Sequence, residues 1–402
     1  MNAEQIESLV SQAVEESKTL DFKQTLPGVS RDEKAELCAD ISAFANTSGG
    51  VIIYGISEHD GAASEIIGVD DSDLDGSILR IEQIANSLIE PTISGLKAQP
   101  LELSGGKKVL LVSIPRSWRS PHLVRSSGSN SFKLYVRGSR GKRQLEANEV
   151  RTMFKETLYL EPHLREWRDN RVQQFIDGNA PVLMQPGAKL MLHILPLTPS
   201  TSVNNIPGKT LLEHYQHFWP MGSGGGDRRL TFDGLLTSSA SYHSDDRSVA
   251  SSYCQLFRDG RVESVADIQG RSLAGPTPQI PSLWYEKNVL ESAYKYMTAL
   301  KMLGHDYPFM IALSLIGVKG MTMAIHASFM YDQRFIDRDN LLLPDILLEE
   351  APEDFAHAFK PMFDQIWNSV GLEQSDNYDQ EGKWRAQKLV GVPYVKSDQA
   401  VD

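Results

Sequence analysis

Three charged residues near the N-terminus have residue types and a spacing that suit phosphate chemistry. They form the pattern E-x4-D-x-K at Glu16, Asp21 and Lys23. Two carboxylates can hold a divalent cation against a phosphodiester, while a lysine neutralises charge on the phosphate. The same pattern is also typical of salt-bridged surface charges, so its meaning depends on the elements that place the three side chains.

Two further acids, Glu58 and Asp60, follow a short apolar run at 51–54 that predicts a buried strand. If this strand neighbours the one that carries Asp21, the two acids can complete a cluster of three carboxylates. His59 between them is interpreted as a turn residue rather than a metal ligand. The candidate metal ligands are therefore Glu16, Asp21, Glu58 and Asp60.

The elements that must position these acids are a helix and a strand joined by a glycine pair. Residues 37–45 place apolar side chains at the spacing of one helix face, and Gly49-Gly50 then ends the helix. Residues 20–23 alternate in polarity, so a strand here buries Leu20 and Phe22. Asp21 and Lys23 share its other face, which we expect to lie at the surface.

The charge distribution predicts a nucleic-acid-binding face. The 402-residue chain has a net charge of −12, yet residues 116–143 contain no Asp or Glu. A basic segment on an acidic chain is typical of a phosphate-contacting site, although a solvated basic loop has the same composition. The predicted contacts are Arg116, Arg119, Arg125, Lys133, Arg137, Arg140, Lys142 and Arg143.

Several classes of protein are disfavoured by the composition. The glycine-rich segments lack the lysine and hydroxyl residues of a phosphate-binding P-loop, so an ATPase is not expected. The two cysteines, Cys38 and Cys254, cannot form a disulfide framework. No apolar run approaches the roughly 18–20 residues of a membrane span, and the N-terminus lacks the features of a signal peptide. We therefore expect a cytoplasmic protein with no membrane partner.

The length and the pattern of elements predict an α+β protein of two domains. Helices and short strands alternate irregularly in both halves, and a helix predicted to end near residue 160 closes the first half. We expect a nucleic-acid-binding domain at 1–160, a connecting helix and linker at 161–189, a second α+β domain of unrecognised type at 190–370, and a polar, poorly ordered tail at 371–402.

Four sequence blocks in the first 160 residues resemble the Schlafen/AlbA-type domain, once catalogued as a divergent AAA domain. They occur in the family's order and at about its spacing. The blocks are E-S-K-T-L-D-F-K (16–23), A-F-A-N-T-S-G-G-V-I-I-Y-G-I (43–56), I-P-R-S-x-R-S-P-H (114–122) and Y-V-R-G-S-R (135–140). The resemblance covers about 40 % of the chain, and residues 161–402 resemble no family that we can name.

The resemblance implies nucleic-acid binding and a mixed α/β N-terminal domain. In vertebrate Schlafens with ribonuclease activity, the first block supplies two metal-binding carboxylates and a third follows the strand after the glycine pair. In this sequence these roles fall on Glu16 and Asp21, with Glu58 or Asp60 as the third and Lys23 beside them. The implied cofactor is Mg²⁺ or Mn²⁺, and the implied substrate is a structured RNA, tRNA or rRNA, rather than DNA.

Two functions of different class remain open at this stage. The first is a metal-dependent endoribonuclease that acts on structured RNA. The alternative is a non-catalytic DNA- or RNA-binding regulatory protein whose second half senses a partner or ligand. Ribonuclease Schlafens form their cleft from two similar lobes, whereas this chain has one recognisable lobe. A homodimer would supply the second wall of the cleft.

Overall fold

A computed structural model describes most of the chain. The chain divides into two compact units, Met1–Leu160 and Glu161–Asp402. The described residues are 1–69, 73–126, 131–138, 141–197, 205–239, 249–268, 278–325, 334–386, 389, 390 and 392.

The first unit combines three β-structures with three helices and the start of a fourth. In chain order its elements are α1 (Ala3–Ser11), β1 (Leu20–Lys23), α2 (Arg31–Ala45), β2 (Gly50–Tyr54), β3 (Ile56–His59), β4 (Ala62–Ile66), α3 (Leu74–Leu88), β5 (Ile89–Glu90), β6 (Lys97–Glu102), β7 (Lys108–Ile114), β8 (Leu123–Arg125), β9 (Phe132–Gly138), β10 (Gly141–Gln144) and α4 (Ala147–Ile176).

Two sheets and a hairpin organise these strands. The central sheet has the order β1-β2-β7-β6, in which β1 and β2 are parallel and the other pairs are antiparallel. A second, antiparallel sheet has the order β10-β9-β8-β5, while β3 and β4 form a hairpin. The mixture of helices with these sheets confirms the α+β class.

Two helix predictions differ from the structure. Apolar residues at Ile6, Leu9, Val10 and Ala13 predict a helix over 2–17, but α1 ends at Ser11, and Ala13 adopts a positive φ of 48°. The following residues pair with the hairpin, through a bridge between Glu15 and Ala62. Residues 146–177 were expected to form two helices. They form the single helix α4, because Pro162 removes one hydrogen-bond donor without ending the helix.

The central sheet is covered on both faces, and this placement overturns the expectation that Asp21 is exposed. Phe22 packs on the α1 face with Ile53 and Leu111. Asp21 and Lys23 share the opposite face, as the alternation predicts, but α2 and β9 cover that face. Asp21 is only 2 % exposed. The register pairs Asp21 with Ile52 and Lys23 with Tyr54, whose side chains belong to the core beneath α2.

The glycine pair between α2 and β2 has a steric reason. Gly49 has a φ of +68°, in the left-handed region that side chains disfavour. A β-carbon at this position would lie 2.5 Å from the backbone nitrogen of Arg116 and 2.8 Å from the carbonyl oxygen of Ile114. The turn therefore lets the segment after β7 approach the end of α2.

The second unit is built on one large antiparallel sheet. In chain order its elements after α4 are β11 (Lys189–Pro196), α5 (Gly208–Glu213), a 3₁₀ helix (Tyr215–His217), β12 (Asp227–Leu230), β13 (Gly234–Ser238), β14 (Ser252–Phe257), β15 (Val262–Asp267), β16 (Gln279–Pro281), α6 (Ser282–Met302), β17 (Phe309–Ile316), β18 (Thr322–Ala324), β19 (Asn340–Leu342), β20 (Ile346–Leu348) and α7 (Phe355–Asn368).

Eight strands form this sheet in the order β12-β13-β14-β15-β11-β17-β19, with β20 also paired to β17. The larger core lies between the sheet and the helices α6 and α7. A smaller core on different sheet residues includes Val172 of α4, Tyr253 and Val265. Within the described residues, no helix combines the length and apolar character that crossing a membrane requires.

The segment after α7 differs from the predicted polar, poorly ordered tail. Tyr378 and Trp384 are buried in the larger core, with ring centroids 5.3 Å apart, and the Tyr378 hydroxyl donates to the Ala356 carbonyl oxygen at 2.9 Å. A few aromatic residues in an otherwise polar segment are enough to dock it. Most of residues 387–402 lie outside the described residues.

Candidate functional site

Asp21 lies at the centre of a buried ion-pair cluster. Its Oδ1 accepts a hydrogen bond of 2.7 Å from the Arg137 guanidinium, and its Oδ2 lies 2.9 Å from the Lys23 ammonium. Burial alone would raise the pKa of Asp21, but Lys23 and Arg137 outweigh it and hold the pKa below its ordinary value. Asp21 is therefore ionised and paired with two cations.

The cluster continues onto α2 through two acids that the sequence analysis did not select. Asp40 accepts from the Lys142 ammonium at 2.8 Å, and its other oxygen lies 3.8 Å from Lys23. Glu36, one helical turn earlier, also pairs with Lys142. A signal existed in the sequence, because Asp40 falls three residues after Leu37 and four before Phe44, on the apolar face of the helix.

Glu16 joins the cluster from the segment that pairs with the β3–β4 hairpin. Its backbone N–H donates to the Gly61 carbonyl oxygen at 2.7 Å, and its Oε1 accepts from the Phe22 backbone N–H at 3.0 Å. Its carboxyl group is also within hydrogen-bonding range of Asp21, a contact that requires a shared proton. Burial, with smaller contributions from Asp21 and Glu58, raises the pKa of Glu16 to about 7.

The two remaining candidate acids lie outside this buried cluster. Glu58 is exposed on β3, near enough to Glu16 to raise its pKa. Asp60 occupies the hairpin turn with a φ of 53°, and its exposed carboxylate lies 3.4 Å from His59. The structure thus brings Glu16, Asp21 and Lys23 together, places Glu58 nearby, and leaves Asp60 in the turn.

These residues do not fit the expected divalent cation in their present arrangement. Both oxygens of Asp21 face cationic side chains, from Arg137 and Lys23. Among the residues that the structure describes, no group of three or more His, Cys, Asp and Glu side chains is arranged to hold a metal ion. The dependence on Mg²⁺ or Mn²⁺ stays a prediction.

Four of the predicted phosphate contacts have acidic partners from elsewhere in the first unit. Arg137 is buried, donates to the carbonyl oxygens of Ser17 and Leu20 at 3.1 Å, and lies over the Phe44 ring. It holds β9 against β1 rather than facing solvent. The acidic partners are Asp21 for Arg137, Glu36 and Asp40 for Lys142, Glu149 for Arg143, and Glu90 for Arg125.

The other basic residues lie on β9 and on the loop after β7. Lys133 is exposed on β9, and Arg119 lies over the Trp118 ring at 4.8 Å. Arg116 is half-buried in the same loop, and Arg140 lies outside the described residues. His122 is buried against the Pro91 carbonyl oxygen, and burial lowers its pKa to about 4, so it adds no charge at neutral pH.

The asparagine that ends α2 fixes this basic region to the cluster. The Asn46 amide donates to the carbonyl oxygens of His122 and Tyr135, both at 3.0 Å, and accepts from the His122 N–H at 2.7 Å. Thr47 accepts from the Arg137 N–H at 2.9 Å. Both residues belong to the second block of the family pattern, at 43–56.

Two buried carboxylates of the second unit are held in different ways. Glu263 accepts from Arg171 and Tyr253 and contacts His193, and these partners outweigh burial to hold its pKa at about 2. Burial dominates at Glu286, where it raises the pKa to about 7 despite donors from Trp367 and Ser375. Both side chains are fully buried, so no substrate can reach them, and we assign them a role in stability rather than in catalysis.

Among the comparisons with known proteins, a family model matches most of the first unit. No curated protein matches the chain. Among solved structures, the chain is similar to the DIP2311 protein from Corynebacterium diphtheriae, with 20 % identity, 36 % of this chain and 26 % of that chain covered, and a TM-score of 0.26. The match thus spans about a quarter of that protein, and a likeness at this level carries no argument. The family model "Schlafen, AlbA_2" matches residues 16–146, and this points to a nucleic-acid-related function. About a third of the chain, residues 16–146, therefore matches the Schlafen AlbA_2 domain.

Proposed function

We propose that this protein binds structured RNA such as tRNA and cleaves it at the cluster formed by Glu16, Asp21 and Lys23. The observation that carries the proposal is the meeting of these three side chains, from the first block of the family pattern, in one cluster. Asp21 is buried at its centre, and Glu16 and Lys23 are half-buried. The Schlafen AlbA_2 match supports the nucleic-acid part of the proposal. A cytoplasmic location, RNA in preference to DNA, and assembly as a dimer belong to the same proposal.

The chemistry of the cluster suits cleavage of a phosphodiester. That reaction needs a group that takes a proton from the attacking oxygen and a group that gives one to the leaving oxygen. A carboxyl group with a pKa of about 7, such as Glu16, is populated in both forms near neutral pH. Lys23 would neutralise charge on the phosphate, because its ammonium keeps its proton beside Asp40 and Asp21.

The hairpin formed by β9 and β10 offers a route for the RNA to the cluster. β9 and β10 pair with Lys142 opposite Arg137, and these residues contact Asp40 and Asp21 respectively. RNA held by the exposed cations of this hairpin and of β8 would therefore run close to Glu16 and Lys23.

The test compares two adjacent glutamates. Purified protein is incubated with total tRNA in Mg²⁺, in Mn²⁺ and in EDTA. We expect wild-type protein to cleave, Glu16→Gln to lose roughly 100-fold or more of the rate, and Glu15→Gln to behave as wild type. Glu15 is exposed and one residue away, so it controls for the loss of one charge. Equal rates for the two variants would contradict the site, and the EDTA arm tests the metal requirement.

A non-catalytic nucleic-acid-binding protein, whose second unit senses a partner or ligand, is the second candidate. The observation that favours it is the pairing of Asp21 with both Arg137 and Lys23, which leaves this carboxylate neutralised. On this alternative, wild-type protein binds tRNA or DNA in a fluorescence-polarisation titration, leaves it intact with every cation, and Glu16→Gln binds with unchanged affinity.

A further inference from the structure

A pocket in the first unit lies between the end of β1 and the N-terminal half of α2. Its volume is about 420 Å³, within the range of roughly 300–1,000 Å³ that is usual for small-molecule sites. Its lining consists of Lys23, Thr25, Leu26, Pro27, Asp32, Glu33, Glu36, Leu37, Asp40 and Tyr54.

The charge of this lining selects a cationic ligand. Four carboxylates and the ammonium group of Lys23 line the pocket, and Lys142 approaches two of these carboxylates from outside the lining. An anion would be repelled, and no described group of acids is arranged for a metal ion. Two of the lining acids already hold an ammonium group, because Lys142 bridges Glu36 and Asp40, at 2.8 Å from Asp40 Oδ1. The acids of the pocket are thus suited to alkylammonium groups.

Two polar groups of the lining lack a full set of partners within the described residues. Tyr54 is 4 % exposed, yet its hydroxyl makes no hydrogen bond to any residue that the structure describes. Asp40 Oδ2 has only Lys23 at 3.8 Å, which is beyond hydrogen-bonding distance. These two atoms belong to buried residues that line the pocket, so both are available to a donor bound there. The Tyr54 hydroxyl and the carboxylates together would accept from and orient an ammonium group.

The remaining walls are apolar, and they determine the shape of the ligand. Leu26, Pro27, Leu37 and the ring of Tyr54 line the pocket between the acids. Methylene groups pack against such walls, while ammonium groups at intervals along a chain meet the carboxylates. We propose that this pocket binds a linear organic amine of the polyamine class, which spans the space between β1 and α2.

The experiment measures binding of spermidine to the full-length protein by isothermal titration calorimetry, without RNA. We expect saturable binding at one site per chain. The double variant Asp32→Asn/Glu36→Gln, which removes two pocket charges, should weaken it at least tenfold. Tyr54→Phe should weaken it several-fold and leave the melting temperature unchanged, because its hydroxyl bonds to no described protein group.

A matched double variant controls for the loss of net charge. Glu65→Gln/Glu102→Gln removes two exposed acids of the same unit outside the pocket and should bind spermidine as wild type does. Equal weakening in both double variants, or equal affinity for spermidine and Mg²⁺, would reduce the effect to non-specific attraction and overturn the proposal. Tighter binding of a lysine-containing peptide would overturn the small-molecule assignment. None of these outcomes depends on RNA cleavage, so the two proposals fail separately.

Discussion

Asp21 and Arg137 show how a residue of the family pattern serves the fold as well as the proposed chemistry. Their side chains are 3 % and 2 % exposed and joined at 2.7 Å. Removing one partner of a buried ion pair leaves the other charge without compensation, which costs about 3–5 kcal/mol. Loss of activity in an Asp21→Ala variant therefore does not by itself identify a catalytic role.

A double-mutant cycle separates the structural role of this pair. We expect Asp21→Ala and Arg137→Met each to lower the free energy of unfolding by about 3–5 kcal/mol. The double variant should lose less than the sum of the two, because no charge remains buried alone. Urea unfolding of the four proteins checks this. Additive losses would mean that the two side chains act independently.

Glu286 makes the stability of the second unit depend on pH. Its pKa rises from the ordinary value of 4.5 to about 7 in the fold, so between these values the folded state binds more protons than the unfolded state. The Glu286 contribution is therefore largest below pH 4.5 and is lost as the pH rises through 7. Converted at 1.36 kcal/mol per pH unit, this loss is about 3 kcal/mol.

The variant Glu286→Gln should remove this dependence. An amide resembles the protonated carboxyl group and does not titrate, so the variant should gain stability relative to wild type between pH 5 and pH 8. Urea unfolding of both proteins at the two pH values measures the change. Glu353→Gln, at an exposed position just before α7, is the control. A parallel pH dependence in wild type and Glu286→Gln would show that Glu286 is ionised in the fold.

At the scale of elements, acids from other parts of the first unit neutralise several cations of the basic segment. Residues 116–143 contain no acid, yet α2, α4 and β5 supply partners to Lys142, Arg143 and Arg125. Arg143 is held by both oxygens of Glu149, at 2.8 and 2.6 Å. Lys133 on β9 has no such partner among the described residues, so it is better placed to contact phosphate.

Salt titrations of tRNA binding distinguish the contributions of Lys133 and Arg143. Each phosphate contact contributes about 0.7–0.9 to the slope of log affinity against log salt. We expect Lys133→Ala to reduce the slope by about that amount and Arg143→Ala to reduce it by less, because Glu149 competes with phosphate for Arg143. Glu149→Gln should steepen the slope by freeing Arg143. A larger effect at Arg143 than at Lys133 would show that the ion pair opens on binding.

At the scale of the whole molecule, the second unit is not a copy of the first. The first unit contains a four-stranded sheet with a parallel pair, whereas the second has an eight-stranded antiparallel sheet. The described residues of the second unit therefore do not repeat the fold of the first. On α4, Phe154, Leu158 and Tyr159 expose apolar surface, with Leu158 at 70 % exposure. Such surface is typical of sites that contact another chain.

We expect the protein to form a homodimer through this face of α4. Light scattering at micromolar concentration should give twice the chain mass of 44.8 kDa, and the double variant Leu158→Glu/Tyr159→Glu should give a single chain mass. Exposed positions tolerate charge, so the variant should melt as wild type does. A wild-type mass near 45 kDa would exclude the dimer, and a dimeric variant would exclude this face.

The sequence alone was sufficient for the features that depend on local periodicity and on the family pattern. The α+β class, the helix that precedes the glycine pair, the strand after it and the shared face of Asp21 and Lys23 follow from spacing along the chain. The Schlafen-type resemblance rested on four blocks of residues, and the family match confirms it over residues 16–146.

Only the tertiary structure decided which charged side chains form ion pairs and which meet solvent. Asp21 meets Arg137 across 116 residues and Asp40 meets Lys142 across 102, and no local pattern reports contacts at such separations. The same applies to the burial of Tyr378 and Trp384 in a segment of polar composition. Periodicity reports which face of an element a residue lies on. Whether that face meets solvent, an acid or a base depends on the element packed against it.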